Sequence, residues 1–243
     1  VIEWVTTSNG MRGDRDVLRA LVLMAGKRDE EALKAFEQAH RQAVSVPDLV
    51  FSLAARLAAS RGENERARAL LADLMGPTPA ASAVLADLNA GRKPARPTLD
   101  VKQGAALVIH VVSSTARTRM HPETNLMRQA AALYLDPDLT PARLAQAEAL
   151  ELQERPAEAL DALRQVKASS PWRADAQMQL AETLARMDRA GEAGPMVAEA
   201  VKSNRRDILG RAADFFRTTE SYSEAIALYD RLAAMDEAAG APD

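Results

Sequence analysis

The feature that most constrains this 243-residue chain is a spacing. Ala159, Ala193 and Ala225 each follow a glutamate (Glu158, Glu192, Glu224), at intervals of 34 and 32 residues. Four residues beyond each alanine comes a larger apolar side chain, Leu163, Val197 or Tyr229. Seven beyond comes Val166, Ala200 or Leu232. That i, i+4, i+7 set marks one face of a helix. Twelve residues upstream stands a second small residue, Ala147, Ala181 or Ala213, followed three later by Leu150, Leu184 or Phe216. This is a first helix, and the facing small residues let the two backbones approach while the larger side chains fill the flanks. The frame also fits Ala20, Leu23, Ala32, Phe36 and Ala39, then Ala55, Ala67, Leu71 and Leu74. A hairpin this short cannot bury its own apolar face, so recurrence at this period implies stacked hairpins.

Composition agrees. Apolar residues make up 47% of the chain but aromatics only 4%, so alanine and leucine carry the interior, as suits helices and not sheets. The punctuation falls where hairpins should turn. Thr78-Pro79 and Thr140-Pro141 read as a cap followed by a first-turn proline. Ser221-Tyr222-Ser223-Glu224 reads as a capping box. His121-Pro122 and Arg155-Pro156 mark turns inside hairpins, and Pro137 and Pro171, again 34 apart, separate successive ones. Residues 107–112 are rich in β-branched side chains. A lone strand there would leave its backbone unpaired, so helix is expected.

On these residues the chain resembles the tetratricopeptide repeat (TPR) family. The match is good over 140–239, fair over 13–81 and poor over 106–139, where Asn125 and Gln129 replace a small and a large apolar residue. Arg143 and Gln146 depart similarly. The resemblance implies an all-α fold, an α-solenoid with a right-handed superhelix of about six TPR-like helix hairpins. Its expected divisions are 1–12, the end of a preceding repeat or a tail that includes Trp4; 13–90, a TPR-like pair plus an extra short helix; and 91–98, a linker that is either a joint or a rigid excursion. Beyond these lie 99–139, a degenerate unit; 140–235, three further units; and 236–243, a tail.

Chemistry is sparsely signalled. There is no cysteine, so neither a disulfide nor a thiolate site is available. His40, His110 and His121 are too scattered for a local metal motif, and no phosphate-cradling glycine loop or nucleophile elbow occurs. No catalytic, cofactor or metal site is expected, and no enzyme activity. A net charge of −3 and a pI near 5.8 argue against a nucleic-acid partner. The longest apolar run, Gly104 to Val112, is too short to span a bilayer.

The resemblance instead implies a protein-protein interaction scaffold or adaptor that binds a peptide or protein partner in a concave groove lined by first helices. The alternative is a regulatory or targeting module of an enzyme whose catalytic domain lies elsewhere. Groove candidates are Ser52, Arg56, His110, Ser114 and Arg117, then Leu144, Glu148, Glu151, Met178, Glu182, Arg186, Asp214 and Arg217. Glu148, Glu182 and Asp214 recur at the repeat spacing, which predicts an acidic ladder for a partner with a basic stretch, anchored on Leu144 and Met178. Some relatives clamp a C-terminal carboxylate with first-helix cations. The corresponding positions here include Val17, Leu144, Met178 and Gly210, which does not support that role. Array ends without a polar closing helix predict self-association. Likeness to large proteobacterial multi-repeat proteins implies a cell-envelope location, periplasmic or outer-membrane-associated, which the residues themselves do not select over the cytoplasm.

Overall fold

The computed structural model describes residues 12–41, 48–72, 74, 78–115 and 121–240. Trp4 and Arg117 lie outside them. Among the described residues there are thirteen α-helices, two short 3-10 turns and no strand. Packing divides the chain between Leu139 and Thr140 into two compact units. Each is an all-α stack of hairpins, the architecture of an α-solenoid.

The first unit contains α1 (Arg12–Ala25), α2 (Asp29–Arg41), α3 (Asp48–Ser60), α4 (Asn64–Leu71), α5 (Pro79–Asn89), α6 (Val101–Thr115) and α7 (Pro122–Leu135). Helices α1/α2, α3/α4 and α6/α7 pair as hairpins, and α5 packs alone on α3. Thr78 caps α5, its hydroxyl accepting from the Ala81 amide at 3.2 Å. The β-branched stretch 107–112 is helical. Its helix, α6, packs on α1 as well as on α7, and Gly104 lies close to the Ala25 methyl. The third hairpin thus returns to the first, α6 packing on α1, while the second hairpin meets the first through α2 and α3.

In the second unit α8 (Thr140–Glu151) pairs with α9 (Pro156–Arg164), α10 (Arg173–Arg186) with α11 (Gly194–Ala200), and α12 (Arg206–Thr218) with α13 (Tyr222–Ala239). These hairpins stack in chain order, α10 touching α8, α9 and α12. The six alanines that define the repeat, at 147, 159, 181, 193, 213 and 225, are all buried, as are their counterparts at 20, 32, 55 and 67. An alanine at each crossing removes bulk where backbones meet, and Leu163, Leu184 and Val197 fill the space beside it.

The five hairpin turns of this frame that lie among the described residues share one geometry. Lys27, Gly62, Glu154, Asp188 and Glu220 adopt positive φ, between 58° and 85°. The next amide then reaches back to the fifth residue before it: Arg28 to Leu23, Glu63 to Ala58, Arg155 to Leu150, Arg189 to Leu184 and Ser221 to Phe216, at 2.8–3.1 Å. This left-handed closure satisfies carbonyls that the end of a helix would otherwise leave unpaired. The residue after it clasps the new helix. Arg28, Arg155 and Arg189 each fork onto a glutamate three residues on, Glu31, Glu158 and Glu192, at 2.5–2.8 Å. Each of those glutamates immediately precedes a crossing alanine, which explains the Glu-Ala recurrence. The last turn is different. Ser221 makes no side-chain cap bond, and Ser223 bonds Glu224 instead, so the expected capping box does not form.

Candidate partner-binding faces

First helices of the second unit carry several charged pairs, three of them between neighbouring hairpins. Glu182 on α10 accepts from Nε and Nη2 of Arg211 on α12, at 3.0 and 2.9 Å. Glu151 on α8 meets Arg186 on α10 at 2.6 Å and also accepts from the Thr183 hydroxyl. Near the start of α12, Arg205 holds Asp175 of α10 at 2.7 and 3.1 Å and Asp207 of its own helix. Asp214 accepts from Arg217 at 3.3 Å and from the Tyr229 hydroxyl at 3.0 Å. Glu148 is half-buried.

The expected acidic ladder is therefore largely a row of ion pairs. Arg211, absent from the candidates read from sequence, faces Glu182 from the next repeat, 29 residues on. Its signal was the i−29 spacing to an acid on the preceding first helix, which single-helix patterns do not contain. Leu144 is partly buried, and its carbonyl lies 3.5 Å from the Gln179 amide. Met178 is fully buried; it packs the interior and offers a partner no surface, which corrects its assignment as an anchor.

Two of the first unit's candidates are likewise interior. Ser52 is 2% exposed, its hydroxyl bonded to the Asp48 carbonyl at 2.8 Å. His110 is 5% exposed, and its Nδ1 meets the Gln129 side-chain oxygen at 3.0 Å. The Gln129 amide donates in turn to Asn125 at 3.0 Å. The two residues that break the repeat pattern in α7 thus make a polar relay that satisfies the buried imidazole, and burial pushes the His110 pKa down. Ser114 returns its hydroxyl to the His110 carbonyl. Only Arg56 among the described candidates of this unit is exposed, and its Nε donates to the Ala95 carbonyl at 3.2 Å.

Linker residues 91–98 are tied down. Arg96 forks onto Asp29 at 2.6 and 2.9 Å and donates to the Met24 carbonyl at 3.0 Å. Its guanidinium thus sits at the carboxyl end of α1, where orphan carbonyls concentrate negative charge, and beside the first residue of α2. This contact holds the Asp29 carboxyl below its ordinary pKa.

A further surface feature is an apolar cleft of about 280 Å³ beside α11 and α13, lined by Val197, Val201, Phe216 and Leu228, with Glu224 and Arg231 also contributing. Among the described residues no cluster of histidine and carboxylate side chains could hold a metal ion, and no helix is long and apolar enough to cross a membrane.

Neither a protein-family model nor a curated protein matches the chain. Among solved structures it is similar to that of MamA, at 14% identity over 75% of this chain and 94% of that one, with a TM-score of 0.46. It is also similar to YrrB, a TPR protein with an unusual peptide-binding site, at 16% identity over 83% and 91%, TM-score 0.37. A human IFIT1 dimer with PPP-AAAA gives 18% identity and a TM-score of 0.43 over 90% of this chain, which spans half the length of that one. Scores below 0.5 leave the description of the fold resting on this chain's own helices.

Proposed function

We propose that the chain is a protein-interaction scaffold whose second unit holds a peptide or protein partner with a basic stretch on the face shared by α8, α10 and α12. The supporting observation is the set of carboxylates on these helices: Glu151 and Glu182 are held by arginines of the next first helix, and Asp214 by Arg217 of its own helix and the Tyr229 hydroxyl. A carboxylate can accept from several donors at once, so an incoming lysine or arginine can share Glu182 or Asp214 without evicting its present partner. Leu144 supplies apolar surface beside them. Long-range steering by such a row speeds encounter and selects partners more than it adds affinity. The overall acidic balance favours a protein over a nucleic-acid partner, and no reaction is needed for this role.

The test is affinity capture at low and high salt with wild type and with a variant in which Glu148, Glu182 and Asp214 are changed to lysine. Recovery of the bound protein should fall several-fold at low salt in the variant, with the melting temperature nearly unchanged. Equal recovery from both proteins overturns the assignment of this face.

A further inference from the structure

The first unit carries a peptide on its own surface, and that peptide belongs to the chain itself. Residues 92–98, RKPARPT, form neither helix nor strand. Lys93 and Arg96 each precede a proline, which disfavours the helical region and keeps the segment open. Two of its successive residues are bonded to the rest of the unit and the third is buried. The Ala95 carbonyl accepts from Arg56 on α3. The Arg96 guanidinium is held by the Asp29 carboxylate and the Met24 carbonyl, one from each side of the α1–α2 turn. Pro97 is buried.

These receiving groups come from two hairpins and take a carbonyl and then a planar cation in order, next to a buried proline. Arg96 and Asp29 are 67 residues apart, so their contact is tertiary recognition and not a local turn motif. The bidentate fork and the helix-end carbonyl favour guanidinium over ammonium, because only the former presents two parallel donors with others to spare.

We propose that the surface formed by Met24, Asp29 and Arg56 is a binding site for an open peptide carrying arginine directly before proline, and that residues 92–98 occupy it in cis. A partner with the same dipeptide would compete for it. The occupant is tethered, so its effective concentration is on the order of millimolar, and a free competitor must exceed that in wild type but not when the tethered copy is disabled. The site is separate from the charged face of the second unit, and its failure would leave that assignment untouched.

The experiment uses the full chain with Arg96→Ala and Pro97→Ala, and a synthetic peptide of residues 91–98 titrated to millimolar concentration while protein amide shifts are followed. Amides of 92–98 should exchange with solvent faster in the variant than in wild type. The peptide should bind the variant saturably and wild type about tenfold more weakly or worse. Adding Asp29→Asn to the variant, or replacing the peptide's arginine by lysine, should weaken binding about tenfold. Should the double variant lose its helical spectrum, Arg96→Lys serves with the same readouts. Unchanged exchange in 92–98 would show that the fork does not hold the segment, and overturns the proposal. So does faster exchange with no peptide-induced shifts, which would mean the contact exists only as part of the fold.

Discussion

At Glu154, Asp188, Glu220 and Lys27 a side chain stands in the left-handed backbone region, at a cost of about 1–2 kcal/mol relative to the right-handed one. Gly62 fills the same place in its hairpin without that cost. Glu154→Gly should raise stability by about 0.5–1 kcal/mol, the relief of strain exceeding the added freedom of the unfolded chain; a lower midpoint in urea would contradict this. His110 makes a second residue-scale prediction. Its folded pKa lies below the ordinary 6.5 because burial penalises the cation. The unfolded state therefore binds the proton more readily, and His110 lowers stability as pH falls below about 6.5 through the folded value, with no effect above. Thermal melts at pH 5 and pH 7.5 should differ less for His110→Gln than for wild type.

At the scale of hairpins, packing outweighs charge. Ala159→Leu or Ala193→Leu inserts bulk where both positions are fully buried, and should cost about 1–3 kcal/mol; an unchanged melt would contradict the crossing geometry. Solvent-accessible ion pairs such as the half-buried Glu182 with Arg211 contribute about 0.2–1 kcal/mol each, so their placement between hairpins suits recognition better than stability. This balance explains what the residues revealed beforehand. Alanines at helix crossings are legible because close backbone approach dictates their size. The turns were not, since Lys27, Glu154 and Glu220, three of the five left-handed positions, are residues with no preference for that region. Ser52, His110 and Met178 were read as groove residues because they lie beside face positions on their helices; the periodicity of one helix does not tell its outer edge from the seam with the next hairpin. Pairing of the acids was hidden for a related reason, as Arg211 belongs to another repeat.

For the whole molecule, the last helix offers the clearest expectation about assembly. Tyr222, Ile226 and Tyr229 on α13 are exposed at one-helix-face spacing, a stripe of the kind that mediates association when it is contiguous. Small-angle scattering should show mass rising with concentration, and Ile226→Glu should suppress that rise; a strictly monomeric profile for wild type would refute it. A further expectation concerns cooperativity. Leu163→Asp places a charge in a fully buried position of the second unit and should broaden its unfolding into steps, since repeats depend on their neighbours.

The return of α6 to α1 also sets an order of events during synthesis. In the second unit the second and third hairpins each find support in the one made just before, so the stack can grow as the chain emerges. The first unit cannot close that way: the contact of α6 with α1 waits until residues beyond Gly104 leave the ribosome, some 80 positions later than Met24. Its loop must be closed against chain entropy before the contact rewards it, which makes this half the slower to mature and the more dependent on protection while it waits.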